Sequence, residues 1–249
     1  MPIEPRSKTL PEATVKPKRK PLKPRGMSPR LRNARQKKAL ELLAHFREAM
    51  PAPETELSYG TPYELIVAVV LSAQCTDVRV NKTTPALFER YPTPAELACA
   101  TPEEVFELIR SVSYPNNKAK HLVGLGQRLM NEFGGEVPKT VEQLKTLPGV
   151  GQKTANVVAS VLFQEQVIAV DTHVHRVCNR LGLVQSRSPE QTERQLMEVL
   201  PAGELHHAHH WFILHGRYVC RARKPDCPHC QLTQWCDYWQ KLQLKPEMA

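Results

Sequence analysis

The chain has 249 residues, 41% of them hydrophobic, with seven cysteines and a formal charge of +9. That length holds one large domain or two small ones, and the lack of any apolar run of about 18 residues excludes a membrane-spanning helix. An odd cysteine count, with four clustered near the end, excludes a secreted disulfide framework and points to metal binding in a reducing compartment.

The charge is unevenly spread. Up to Lys38 there are thirteen Lys/Arg against Glu4 and Glu12, a balance of +11, while the remainder carries 21 basic and 23 acidic residues, or −2. A polycationic tail attracts phosphate backbones with little sequence preference; a solubilising extension is the plainer reading. Pro2, Pro5, Pro11, Pro17, Pro21, Pro24 and Pro29 punctuate this segment, so residues 1–30 are expected to be a disordered basic tail without a secretory h-region. Lys16-Pro17-Lys18-Arg19-Lys20 also fits a short nuclear address.

Beyond the tail nearly everything reads as helix. Leu40, Leu43, Ala44 and Phe46 to Ala49 give one amphipathic face. Thr61-Pro62, Thr93-Pro94 and Thr101-Pro102 each combine an N-cap with a proline at the first helical position. Further helices are expected over Lys118–Phe133, stopped by Gly134-Gly135, and over Thr140–Leu147, Gln152–Phe163, Thr172–Leu181, Pro189–Leu200 and His206–Val219. The β-branched runs Val67–Val70 and Val157–Val161 also fit buried strands, but their caps and helical partners favour helix. With no alternating strand series, the expected fold class is all-α, many short helices on short connections.

Three motifs carry chemistry. In Leu147-Pro148-Gly149-Val150-Gly151-Gln152-Lys153-Thr154-Ala155 one helix ends, two glycines turn the chain and another helix begins. The first-turn amides of the new helix lack internal partners and can face a phosphate; an ordinary αα-hairpin would use the same glycines. Lys153 falls in that first turn, where the partial positive charge of the helix start favours a neutral, nucleophilic amine. A phosphate-contacting lysine is the alternative.

In Val170-Asp171-Thr172-His173 the acid is a natural N-cap. Such a carboxylate could also stabilise the positive charge that develops at a sugar's anomeric carbon when a base departs. The third motif is Cys220-x6-Cys227-x2-Cys230-x5-Cys236, whose spacing leaves zinc and an iron–sulfur cluster both open. Between its first two cysteines, Arg221, Arg223 and Lys224 form a basic loop, a second candidate phosphate contact. His206, His207, His209 and His210 crowd one helix start; a partly buried, hydrogen-bonded cluster is favoured over metal ligation.

These motifs occur in an order that resembles endonuclease III, of the helix–hairpin–helix DNA glycosylase superfamily. Leu71-Ser72-Ala73-Gln74-Cys75-Thr76-Asp77-Val78, Lys153-Thr154-Ala155-Asn156-Val157-Val158 and Leu214-His215-Gly216-Arg217 extend the likeness, which spans about residues 34–240. The resemblance implies two helical domains with DNA in the cleft between them. One is a six-helix barrel over 56–165; the other joins 31–55 to 166–240 and holds a [4Fe-4S] cluster on Cys220, Cys227, Cys230 and Cys236. Residues 241–249 would be a C-terminal tail.

It further implies a bifunctional DNA glycosylase and AP lyase, acting as a monomer on duplex DNA that carries an oxidised pyrimidine or an abasic site. Lys153 would be the nucleophile, aided by Asp171. Gly149, Val150, Gly151 and Thr154 would meet the DNA backbone, and Gln74 would fill the gap left by the extruded nucleotide. The implied setting is the cytoplasm with its nucleoid in a bacterium, or the nucleus or mitochondrion in a eukaryote. One region departs from the family: where a common form reads Gly-Leu-Tyr-Asn, this chain has Ser113-Tyr114-Pro115-Asn116, so Tyr114 stands where a leucine wedge is expected. The adenine glycosylase acting opposite oxidised guanine is the nearest rival. That family generally lacks the nucleophilic lysine and adds a C-terminal recognition domain, whereas Lys153 is present and about thirteen residues follow Cys236. A non-catalytic DNA-binding or redox-sensing module is the rival from another class, and the pairing of Lys153 with Asp171 argues against it.

Overall fold

The computed structural model describes residues 27–244, and among them it is helical throughout, with no strand. The first helix, α1 (Pro29–Ala49), opens on Ser28, whose hydroxyl accepts from the Leu31 amide. The helix therefore begins just inside the expected 1–30 tail: Ser28-Pro29 is the same cap-plus-proline signal as the later Thr-Pro pairs. The Lys16–Lys20 segment and the rest of the tail lie outside the described residues.

Next come α2 (Pro62–Ser72), α3 (Asp77–Arg90), α4 (Pro94–Cys99), α5 (Pro102–Ile109) and α6 (Pro115–Phe133). The three Thr-Pro starts hold, Thr93 and Thr101 both forming capping boxes with Glu96 and Glu104. Helix α2 is buried continuously from Leu65 to Leu71, so Val67–Val70 is the spine of a central helix rather than a strand. Helix α3 had no counterpart among the expected elements. Thr83-Thr84-Pro85 interrupts its helical pattern, yet Thr83 is buried, its hydroxyl donating to the Arg79 carbonyl and meeting Ser111 Oγ at 3.0 Å. Packing overrides propensity there. Helix α6 starts at Pro115, three residues before the expected Lys118.

After the single turn α7 (Val141–Leu144) come α8 (Gln152–Phe163), α9 (Thr172–Leu181), α10 (Pro189–Val199), α11 (Leu205–Tyr218) and α12 (Asp237–Gln243). Helix α12 runs across the expected start of the C-terminal tail at residue 241, because Cys236 caps it, its sulfur accepting from the Trp239 amide at 3.5 Å.

Two hydrophobic cores result. The first gathers α2 to α8 around Leu65, Ile66, Leu71, Leu122 and Leu125. The second joins α1 to α9, α10 and α11 around Leu42, Leu43, Trp211 and Phe212. Extended backbone at Val167–Val170 stitches them: Val167 and Ala169 pack on the first core, Ile168 and Val170 on the second. The two-residue alternation of an extended chain makes that possible.

Candidate active site

Between the cores lies a cleft of about 640 Å³, lined from one side by Gln74, Thr76, Lys153 and Val157, and from the other by Asp171, His173, His209 and Arg217. Lys153 is the second residue of α8, exposed at the cleft. Its helix starts at Gly151 with no side-chain cap, so the first-turn amides face outward unpaired by any side chain.

The two hairpin glycines differ. Gly149 has φ +80°, and a Cβ there would meet His121 Cβ at 3.0 Å and Val70 Cγ1 at 3.1 Å, so the turn is seated on α6 and α2. Gly151 faces open space, with nothing within 4 Å of its would-be Cβ. No protein neighbour demands a glycine at 151, and the backbone there is open to approach from outside. Val150 between them is only 7% exposed, and its amide donates to the Leu147 carbonyl at 3.1 Å. Its side chain belongs to the first core and its N–H donates within the turn, so any contact from outside would be with the backbone around it. Thr154, half-buried, follows Lys153 on α8.

Asp171 is the N-cap of α9, and its Oδ1 accepts from the amides of His173 and Val174, both at 2.8 Å. The cap and a place in the cleft coexist. Behind it His209 is 3% exposed, with Nδ1 2.8 Å from the Ala169 carbonyl. A carbonyl only accepts, so Nδ1 carries the proton. Burial lowers the His209 pKa to about 4, while Asp171 pulls it up and Lys153 down, so a neutral imidazole sits beside both residues. His210 is likewise lowered, by burial and then by its histidine neighbours, to about 2. His206 Nδ1 meets Ser160 Oγ at 3.1 Å. Of the four histidines at the start of α11, His209 and His210 are buried, His206 and His207 are half-buried, and His206 and His209 carry the hydrogen bonds, a partly buried cluster as expected.

Gln74, in the α2–α3 turn, and Tyr114, in the α5–α6 turn, are both exposed and both have φ +54°. Left-handed backbone costs a side-chain-bearing residue about 1–2 kcal/mol. At Gln74 it is the ordinary end of a helix. At Tyr114, the N-cap of α6, it is not, since N-caps normally lie in the β region.

Cys220, Cys227, Cys230 and Cys236 line one cavity with Arg180, His215 and Trp239. They do not close on a single-ion position: among the described residues no group of three or more His, Cys, Asp or Glu does. Arg180 Nη1 donates to Cys220 Sγ at 3.3 Å and the Leu232 amide to Cys230 Sγ at 3.4 Å. Burial first, then the neighbouring cysteines, push the thiols of Cys227, Cys230 and Cys236 up, so thiolates here call for a cationic centre. Arg180 also donates to the carbonyls of Arg221 and Ala222, at 2.8 and 3.0 Å, shaping the loop on which Arg221, Arg223 and Lys224 stand exposed.

Two groups of importance escaped the sequence reading. Arg217 spans the cleft from α11 to Glu56 and to Asp77 of α3, the latter at 2.6 Å. Burial opposes its charge, but the two carboxylates raise its pKa overall. The motif Leu214-His215-Gly216-Arg217 marked the place without assigning the role. Lys118 is only 5% exposed, and Lys118-Ala119-Lys120 reads as an ordinary solvated stretch.

Residues 67–202, more than half of the chain, match the HhH-GPD superfamily of base excision DNA repair proteins. Endonuclease III of Rickettsia conorii is 46% identical, covering 79% of this chain and 94% of its own length. Endonuclease III of Escherichia coli is 44% identical, covering 83% and 98%. The chain belongs to the endonuclease III family. A solved endonuclease III–DNA complex, a trapped covalent intermediate with an estranged adenine, superimposes with a TM-score of 0.79 at 42% identity, covering 84% of this chain and 98% of that one. As an endonuclease III family member the chain is a DNA glycosylase/AP lyase of base excision repair, and its two-core helical architecture is the HhH-GPD fold. No helix among the described residues is long and apolar enough to cross a membrane.

Proposed function

We propose that this endonuclease III family member removes oxidised pyrimidines from duplex DNA through Lys153 and then cuts the strand. The observation that carries the reading is that Lys153 and Asp171, from successive helices, open on one cleft together with Gln74. In its neutral form the Lys153 amine attacks C1′ of the flipped nucleotide. The C1′–N bond breaks, its electron pair leaves with the base, and Asp171 stabilises the positive charge developing on the sugar. Loss of the amine proton and ring opening give a C1′ imine; removal of a C2′ proton then expels the 3′ phosphate by β-elimination. The same imine forms at an abasic site, where no base has to leave. That a related endonuclease III was solved as a trapped covalent intermediate on DNA supports an enzyme-bound imine.

The hairpin would seat a phosphate on the unpaired amides at Gly151, with Gly149 holding the turn and Thr154 beside it. Arg221, Arg223 and Lys224 would take a second phosphate. Gln74 and Tyr114 would enter the duplex. The four cysteines suit a [4Fe-4S] cluster, because they share one cavity and N–H donors point at their sulfurs. Bound there, it would supply a rigid anchor for the basic loop rather than glycosidic chemistry. We place the domains at 56–165 for the first core and at 31–55 with 166–240 for the second; α1 starts two residues before, and α12 ends three residues after, the outer bounds of the second.

Borohydride reduction of the imine tests the reading. Wild type is expected to yield a covalent adduct on a thymine-glycol or abasic duplex. Lys153→Gln is expected to lose the adduct while still binding the DNA. Undiminished trapping by Lys153→Gln removes Lys153 from the nucleophile's role.

A further inference from the structure

Lys118 is a buried cation that the catalytic scheme does not use. Its Nζ donates to the Leu71 and Ala73 carbonyls, both at 2.7 Å, and to Ser113 Oγ at 3.2 Å. Leu71 and Ala73 stand at the C-terminal end of α2, where unpaired carbonyls and the helix dipole favour a positive charge. Ser113 Oγ in turn donates to the Gln74 carbonyl at 2.7 Å, with the Ala73 carbonyl at 3.3 Å. One ammonium and one hydroxyl thus bind the α2–α3 turn to the α5–α6 turn, about forty residues away in sequence.

The residues so bound are the neighbours of the two exposed left-handed positions. Gln74 is held through its own carbonyl. Tyr114 follows Ser113 directly and precedes Pro115, whose ring fixes φ at the first position of α6. The Tyr114 carbonyl also accepts the Lys118 amide at 3.1 Å, closing the first turn of α6. Tyr114 is 62% exposed despite being a large aromatic, and nothing in the first core accounts for its unusual N-cap conformation.

Resting on the catalytic reading above, we propose that Lys118 and Ser113 are positioning residues that lock Gln74 and Tyr114 into a preformed two-pronged probe for opening the duplex. The strained backbone is set before DNA arrives, so binding need not order it. Tyr114 then enters as a stacking plane, in a site where aromatic stacking on bases tolerates any sequence. Ser113 is where the common family form carries glycine, so the hydroxyl tie is a property of this chain and accompanies its aromatic probe.

Such a lock acts on opening and leaves the imine chemistry alone. The test compares two substrates under single-turnover conditions: excision of thymine glycol from intact duplex, and strand cleavage at an abasic site in an unpaired bulge, already extruded. A 2-aminopurine opposite the lesion reports opening by fluorescence. In Ser113→Ala the ratio of the first rate to the second is expected to fall about tenfold, as loss of one hydrogen bond at the opening barrier predicts, with a matching delay in the fluorescence rise. Ser113→Thr, which keeps the hydroxyl, should stay within about twofold of wild type. Lys118→Met should show the larger fall in the same ratio; if it fails to fold, Ser113→Ala decides alone. An unchanged ratio in Ser113→Ala, or equal loss on both substrates, overturns the lock. If wild type itself yields no imine adduct on the duplex thymine-glycol or abasic substrate, the catalytic reading falls and takes this inference with it.

Discussion

Asp171 combines a structural contact with a place at the cleft. Oδ1 accepts both amides of the α9 cap, and the carboxylate also faces the cleft that Lys153 enters. Asparagine keeps an oxygen for the cap and removes the charge. Asp171→Asn is therefore expected to cost less than about 1 kcal/mol in thermal unfolding, while single-turnover excision falls about 100-fold, the size of losing an electrostatic stabiliser. Asp171→Ala should lose both stability and rate. Equal rates in Asp171→Asn and wild type would leave Asp171 as a cap alone. At this scale the sequence is informative about Asp171, because a cap is a local affair of three residues. Lys118 is opaque by the same measure: its partners at Leu71 and Ala73 lie on a helix 45 or more residues away, and nothing adjacent to it announces burial.

Among elements, starts were legible and interiors less so. Thr61, Thr93, Thr101 and Thr140 each accept a capping hydrogen bond or form a capping box as their sequences imply, since capping needs only the next three residues; Ser28 does the same inside the expected tail, where its signal was passed over. Helix α3 went unread because Pro85 and two β-branched threonines oppose helix locally, and burial of Val80, Thr83, Thr84 and Leu87 decides against them. The hairpin offers a test of how element and function divide. Gly149→Ala must adopt φ +80° and press on His121 and Val70, so it is expected to destabilise the fold by about 1–3 kcal/mol. Gly151→Ala meets nothing and should change stability by less than about 0.5 kcal/mol. If a phosphate approaches that backbone, it should nonetheless weaken DNA binding, about tenfold. Thermal melts and salt-dependent binding titrations would distinguish the two; full affinity in Gly151→Ala would count against phosphate contact there.

For the whole molecule, the cysteine loop and α12 close the second core: Trp235 and Trp239 pack against it, and Lys38 of α1 meets Asp237 at 2.5 Å. A cluster on the four cysteines would tie residues 220–236 to α1 and α9, so its removal acts on the stability of the second core. Iron and acid-labile sulfide analysis of the purified protein is expected to return four of each per chain. Chelation under reducing conditions should lower the melting temperature and weaken DNA binding through the basic loop. Stoichiometric zinc without iron would overturn the cluster assignment.

The sequence by itself determined the helical class, most helix starts, the hairpin with Lys153, the cap at Asp171 and the cysteine set, because each is encoded within a few residues of chain. Only the tertiary structure decided that Val150 turns inward, that Arg217 bridges the cleft, and that Lys118 and Ser113 join Gln74 to Tyr114. These are outcomes of packing two cores side by side, where a charge or hydroxyl takes its partners from helices that meet only after folding. Short-range signals can be read in order along the chain; the burial of a polar group depends on what comes to lie against it.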